Sequence, residues 1–241
     1  MTRTLVLSDI HGNKDALDAV IADVGAADRI WCLGDVVGYG PEPAVCLAWV
    51  RAHCDIVLSG NHDYAAFDPS VVRDFNPNAA RAADWTRAAL SAEAIAYLQS
   101  LPSLIEAAGV MLAHASPIDP IWTYILSVVD AYDAFSAFGG ALCFVGHTHV
   151  AACYREAEGV IERLPFANDE PFSLAGGRFI INPGSVGQPR DRDPRAAYLW
   201  YDDSSQIVVW KRVAYDIAAV QRKMRAAGLP ERLASRLALG Q

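Results

Sequence analysis

The chain contains six histidines, His11, His53, His62, His114, His147 and His149. Five of them lie just after a short apolar run, in "SDIHG" (8–12), "SGNHD" (59–63), "LAHAS" (112–116) and "VGHTH" (145–149). "LGDVVG" (33–38) brings Asp35 to the same kind of position. Asp9, His11, Asp35, Asn61, His62, His114, His147 and His149 thus gather at the ends of five apolar runs. Imidazole and carboxylate with one amide oxygen suit Mn, Fe, Zn, Co or Ni and not a thiolate-selective site. Seven candidate ligands among these residues are too many for one tetrahedral ion. They suit two divalent transition-metal ions sharing a carboxylate. Such ions sit roughly 3.5–4 Å apart and clamp the attacking and leaving oxygens of an in-line displacement.

The spacing has a physical reason. Asp9 and His11 are two residues apart, as are His147 and His149. In extended backbone, residues i and i+2 point to one side, so each pair converges on one point. Gly12, Gly34, Gly60 and Gly146 flank these groups and permit sharp exits from a strand. Taken singly, "GDVVG" is also a strand-to-helix turn, and "DIHGN" a helix cap. Jointly, chance would have to place ligand residues in five turns. His53 stands outside the pattern and receives no role. Two divalent ions, two aspartates and one hydroxide leave a single net positive charge if the histidines are neutral, as ligation requires. That local cation suits a phosphate group.

Elements must carry these groups to one rim. "RTLVLS" (3–8), "RIWCLG" (29–34) and "DIVLSG" (55–60) read as buried strands. Between them "NKDALDAVIADV" (13–24) reads as a helix capped by Asn13, and "PEP" (41–43) opens another that runs to Ala52. Residues 64–77 show no clear periodicity and read as a loop. Residues 77–101 read as two helices, the second capped by Ser91; 104–116 reads as a hairpin turned at Gly109. A helix near 128–138 leads into a strand at 141–150, then "AACYRE", "RFIINPGS", "AAYLWYD" and "IVVWKRV". Helical 216–228 and a short basic tail close the chain. Early βα units followed by hairpins predict an α/β protein: a four-layer α/β/β/α sandwich of two mixed β-sheets flanked by helices. Residues 1–241 read as a single domain. In α/β sheets, ligands bind beyond the carboxyl ends of the strands, where the candidate ligands fall.

Composition sets limits. The 241 residues are 53% hydrophobic, enough for a well-buried core, with no run of the ~18 apolar residues a membrane helix needs. The first residues turn polar too early for a signal peptide. Asp and Glu outnumber Lys and Arg 28 to 20, for a formal net charge of −8, so duplex nucleic acid is not an expected partner. Cys32, Cys46, Cys54, Cys143 and Cys153 form no C-x-x-C pair and read as buried thiols of a reducing cytoplasm. With no P-loop, nucleotide-cofactor chemistry is not expected.

The motif series SDIHG, GDVVG, GNHD, His114 and GHTH resembles the calcineurin-like metallophosphoesterase superfamily. "NPGSVGQPRD" (182–191) resembles the closing motif of its small bacterial and archaeal phosphodiesterases. The resemblance implies a double-sheet sandwich with a dinuclear centre. It assigns Asp9, His11, Asp35 and His149 to one metal and Asp35, Asn61, His114 and His147 to the other, with Asp35 bridging. It implies a metal-bridging hydroxide as nucleophile and His62 as general acid to the leaving oxygen. Asp63 would orient His62; as an acid at a helix start it has a second explanation. Asn61, His62 and Arg190 are the expected substrate-binding residues.

The protein Ser/Thr phosphatase branch carries an arginine where this chain has Val36, Val37, Gly38 and Tyr39. A small phosphorylated substrate, as phosphodiester or phosphomonoester, therefore fits better than a protein phosphatase role. A non-catalytic interaction module on the same fold is the other reading, disfavoured by the complete ligand set. Asn182 and Ser185 also read as turn residues. Trp122 and Tyr124, in the segment 116–126, read either as a wall for a base or aromatic leaving group or, the favoured reading, as packing for a long loop.

Overall fold

The computed structural model describes residues 2–241. Its strands are β1 (Arg3–Leu7), β2 (Arg29–Cys32), β3 (Ile56–Val57), β4 (Leu104–Ala107), β5 (Val110–Ala113) and β6 (Leu142–Phe144). They continue with β7 (Ala152–Ala157), β8 (Val160–Arg163), β9 (Phe172–Ser173), β10 (Arg178–Asn182), β11 (Ala196–Asp202) and β12 (Ile207–Val213). One six-stranded sheet has the order β3-β2-β1-β11-β12-β9, and the other β4-β5-β6-β10-β7-β8. Both are mixed: β1 pairs parallel with β2 and antiparallel with β11, while β10 pairs parallel with β6 and antiparallel with β7.

Alternation along the strands builds the layers, because successive side chains face opposite ways. Val6, Leu199 and Tyr201 of the first sheet meet Phe144, Phe179 and Ile181 of the second in the core between the sheets. Leu5, Leu7, Tyr198 and Trp200 point the other way, onto α1 (Lys14–Val24) and α2 (Pro43–His53). Cys143 and Ile180 face α6 (Val128–Ser136) on the outside of the second sheet. The arrangement is the α/β/β/α sandwich expected of the sequence.

The helix caps follow local chemistry. Asn13 Oδ1 accepts from the Ala16 N–H at 3.1 Å, and Ser91 Oγ accepts from the Ala94 N–H at 3.1 Å. α4 (Pro77–Ala89) and α5 (Ala92–Ser100) divide the region 77–101 as expected. The hairpin β4–β5 turns through Ala108 and Gly109 at φ of 52° and 76°, both left-handed.

Several expectations require correction. Residues 64–77 are not a loop: α3 (Asn61–Phe67) starts inside the motif itself, followed by a 3-10 helix at Pro69–Asp74. Consequently the strand expected at 55–60 shrinks to Ile56–Val57, and that at 141–150 ends at Phe144, where the ligand loops begin. The hairpin strand β8 and the short β9 went unread. The basic tail folds as α8 (Glu231–Arg236) and a 3-10 turn, packing with α7 (Ile217–Ala226) against Tyr39 and α4. All five cysteines are free, with Cys54 partly exposed and the others buried. Among the described residues, no helix is long and apolar enough to cross a membrane.

Candidate metal centre

The loops leaving β1 and β2 run side by side, joined by the His11 N–H to the Asp35 carbonyl (2.9 Å) and the Gly12 N–H to the Val36 carbonyl (2.9 Å). The backbone here is not extended. Asp9, His11, Asp35, His147 and His149 all have positive φ, between 50° and 63°. Convergence therefore comes from left-handed turns and not from i, i+2 alternation in strands. Non-glycine residues adopt this region rarely, and it tends to be stored at functional sites.

Two groups of potential ligands result, Asp9–His11–Asp35–His149 and Asp35–His114–His147, each with ligand atoms within 4.8 Å of one another. Asn61 joins the second: its Oδ1 is 3.3 Å from His114 Nε2. Asp35 belongs to both, its Oδ2 lying 3.5 Å from the Nε2 of His11 and 3.5 Å from that of His114. The seven residues singled out in the sequence are thus brought together.

The hydrogen bonds around these residues leave one atom of each aspartate and histidine uncommitted. The Nδ1 atoms of His11, His114 and His149 face the carbonyls of Val37, Leu33 and Gln188 at 3.0, 2.9 and 2.6 Å. In His147 it is Nε2 that faces a carbonyl, that of Trp122 at 3.1 Å. A carbonyl only accepts, so the facing nitrogen carries the proton and the other presents a lone pair. This is the usual way a metal-binding imidazole is oriented. The carboxylates behave alike. Asp9 Oδ2 accepts from the His147 N–H (3.1 Å) and Asp35 Oδ1 from the His62 N–H (2.8 Å). Asp9 Oδ1 and Asp35 Oδ2 are buried with no hydrogen-bond partner. Orphaned buried acceptors are costly, and a cation satisfies all of them at once.

Charge tells the same story. Burial pushes Asp9 up to about 7 and Asp35 well above the carboxylate range. Burial likewise holds His11, His114 and His149 well below their usual value and His147 down at about 4. Burial thus favours the neutral imidazole in each, which argues against reading the close His–Asp approaches as ion pairs. The donor set of imidazole nitrogens, carboxylates and one amide oxygen fits two divalent cations.

His62 sits 5% exposed beside this cluster, its Nδ1 buried without a partner. Burial, then the Arg190 charge, holds its pKa well below the usual range. Asp63 does not orient it. Its carboxylate instead accepts from the N–H groups of Val36 (3.2 Å), Val37 (3.0 Å) and Gly60 (3.0 Å). Asp63 thereby ties the loop after β2 to the start of α3, so the helix-start explanation applies and its expected role toward His62 is not supported. Asn182 and Ser185 are structural as well. Asn182 donates to the Gly146 carbonyl at 2.7 Å, and Ser185 Oγ donates to the Asp9 carbonyl at 2.8 Å.

A cleft of about 210 Å³ opens over the cluster, lined by Asn61, His62, His147, His149 and Arg190 among others. The Arg190 guanidinium donates to Gln188 Oε1 at 2.8 and 3.3 Å and lies 5.7 Å from the Tyr39 ring centroid. Tyr39, Asp74, Phe75 and Asn76, none of them singled out individually in the sequence, also line the cleft. Trp122 and Tyr124 face the cleft too, 36% and 44% exposed, in line with the reading of a wall and not with the favoured one of loop packing. The lack of periodicity that made 64–77 read as a loop hid Phe75; its aromatic flanking was the available signal.

Residues 2–204 match the calcineurin-like phosphoesterase superfamily domain. A metallophosphoesterase structure from Sphaerobacter thermophilus superposes with a TM-score of 0.91 at 45% identity, covering 100% of this chain and 99% of that one. An uncharacterized protein of Methanocaldococcus jannaschii is 37% identical over 98% of this chain and 97% of its own length. A symmetrical bis(5'-nucleosyl)-tetraphosphatase of Erwinia tasmaniensis is 30% identical over 83% of this chain and 77% of its own.

Proposed function

The chain belongs to the calcineurin-like phosphoesterase superfamily, and we propose that it is a metal-dependent hydrolase of phosphodiesters or phosphomonoesters of small substrates. The observation that carries this reading is the set of inward lone pairs: imidazole nitrogens and carboxylate oxygens left uncommitted around two neighbouring points. Asp9, His11, Asp35 and His149 would hold one divalent cation, and Asp35, Asn61, His114 and His147 the other. Bound there, the pair would supply Lewis-acid polarisation of a phosphoryl group and acidification of water toward neutral pH.

The rest of the chemistry belongs to side chains. Arg190 lines the cleft without a carboxylate partner at its hydrogen-bonding nitrogens, so its charge is free to hold a phosphoryl oxygen. His62 lines the same cleft next to the cluster and would donate a proton to the departing ester oxygen. Burial and then the Arg190 charge depress the His62 pKa; a phosphate bound between the two side chains would offset the Arg190 part and favour the protonated ring. Asp63 acts at one remove, fixing the loop that carries Asp35 to the helix that carries His62. The relationship to a bis(5'-nucleosyl)-tetraphosphatase supports a small phosphorylated substrate. The test is hydrolysis of bis(p-nitrophenyl) phosphate by chelator-treated protein. Turnover should appear only after Mn²⁺ or a similar ion is added, and turnover indifferent to chelator contradicts the reading.

A further inference from the structure

The cleft has a direction. Successive contacts run from Arg190 to Tyr39 (5.7 Å), from Tyr39 to His62 (4.2 Å between centroids), from His62 to Phe75 (4.7 Å) and from Phe75 to Trp122 (6.2 Å). A cation stands at one end, aromatic rings stand at the other, and His62 lies between. Tyr124 stacks one face on His147 at 4.0 Å yet remains 44% exposed, which leaves ring surface open. Phe75 directly follows the 3-10 helix Pro69–Asp74 and Trp122 lies in the loop after β5, so two separate parts of the chain bring rings to one wall. In a protein that buries most of its large apolar side chains, such a wall beside a reaction centre points to a ligand surface.

The rim adds polar groups. Asn76 Oδ1 accepts from the N–H groups of Asn78 and Ala79, both at 3.1 Å, so the amide NH₂ is the part left to donate. Asp74, beside it on the cleft wall, supplies an acceptor. The Phe75 and Trp122 planes meet at 66°, so they form a corner of ring faces and edges rather than a flat platform. Such a corner, with a donor and an acceptor at its rim, matches a heteroaromatic ring that carries both and does not match an alkyl chain.

We propose that Phe75, Trp122 and Tyr124, edged by Asp74 and Asn76, form a subsite for a planar heteroaromatic ring such as a nucleobase, on the His62 side of the phosphoryl group held near Arg190. The subsite rests on the phosphoesterase reading for its phosphate end only. Adenosine 5'-phosphate and ribose 5-phosphate share phosphate and sugar and differ by the ring, so they isolate it. Stacking of a base on aromatic side chains commonly strengthens binding by about tenfold or more. As inhibitors of diester hydrolysis by the manganese-loaded enzyme, adenosine 5'-phosphate should therefore show an inhibition constant about tenfold or more below that of ribose 5-phosphate. In the Phe75→Leu/Trp122→Leu double variant, which keeps apolar bulk and removes two rings, the ratio should fall toward one through the adenosine compound alone. Equal constants in the unaltered protein, or a ratio untouched by the double variant, overturn the subsite. If the loaded protein hydrolyses no diester, calorimetric titration with the same two phosphates reads the same ratio. The hydrolase reading then fails by itself, and the subsite stands or falls on the titration.

Discussion

The Nε2 atoms of His11 and His149 lie 3.0 Å apart although both rings keep their proton on Nδ1, facing the carbonyls of Val37 and Gln188. Two lone pairs aimed at each other repel. The fold holds them in place through buried loops, and a cation between them converts the repulsion into shared ligation. Mn²⁺ should accordingly stabilise chelator-treated protein, by about 2.7 kcal/mol for each site when the free ion stands at 100 times its dissociation constant. In a chain of this length that is a rise of roughly 5–10 °C in melting temperature per site. His149→Ala should shrink the rise measured by differential scanning fluorimetry, and an unchanged rise would count against ligation.

The stability of the metal-free protein should peak between about pH 6 and 7. Five imidazoles, those of His11, His62, His114, His147 and His149, are held below 6.5 in the folded state. Below that pH the unfolded chain binds protons there that the native state refuses, so stability is lost as pH falls. Three carboxyls oppose this, with Asp9 raised to about 7, Asp63 to about 6 and Asp35 well above its usual range. They bind protons in the folded state that the unfolded chain lacks, so their stabilisation is lost as pH rises, through about 6 for Asp63, about 7 for Asp9 and higher still for Asp35. Histidines outnumber carboxyls on the acid side and are silent on the alkaline side. Mn²⁺ should move the optimum upward, because it favours ionised carboxylates. Chemical denaturation across pH 5–9, with chelator and with Mn²⁺, checks both.

His62→Asn should lower kcat by about 10²–10⁴ while leaving metal content unchanged. Gly38 offers a second route to the same residue. It sits at φ 88°, and a methyl group there would lie 2.7 Å from His62 Nδ1. Gly38→Ala should displace the imidazole and lower kcat with the metals still bound. Loss of metal in either variant, measured by elemental analysis, would mean that His62 is structural.

Gly60 makes the opposite separation. A methyl group at this position would overlap Asp35 Oδ1, the oxygen that His62 N–H holds. Gly60→Ala should therefore weaken Mn²⁺ binding at both points together, since Asp35 is common to the two ligand groups. Calorimetry showing one site intact would indicate that Asp35 does not bridge.

Much of this was readable from residue types. The buried strands near β1, β2, β10, β11 and β12, the caps Asn13 and Ser91, and the convergence of the seven candidate ligand residues follow from local pattern. Geometry inside the motifs was not readable. The left-handed φ values of Asp9, His11 and Asp35 depend on hydrogen bonds between loops far apart in sequence, and no spacing rule encodes them. The role of Asp63 was similarly hidden, because its partners Val36 and Val37 are tertiary neighbours. Trp122 and Tyr124 could be read as a wall or as loop packing and the sequence could not choose; that Phe75 joins them appears only where the turn after the 3-10 helix meets the loop after β5.

Counting the ions tests the centre most directly. Chelator-stripped protein titrated with Mn²⁺ should take up two ions per chain, and electron paramagnetic resonance should report them as a coupled pair. Asp35→Ala, which removes the carboxylate common to both ligand groups, should abolish the coupling and the tight uptake together. Uptake of fewer than two ions by the unaltered protein, or a coupled pair that survives without Asp35, would contradict the account.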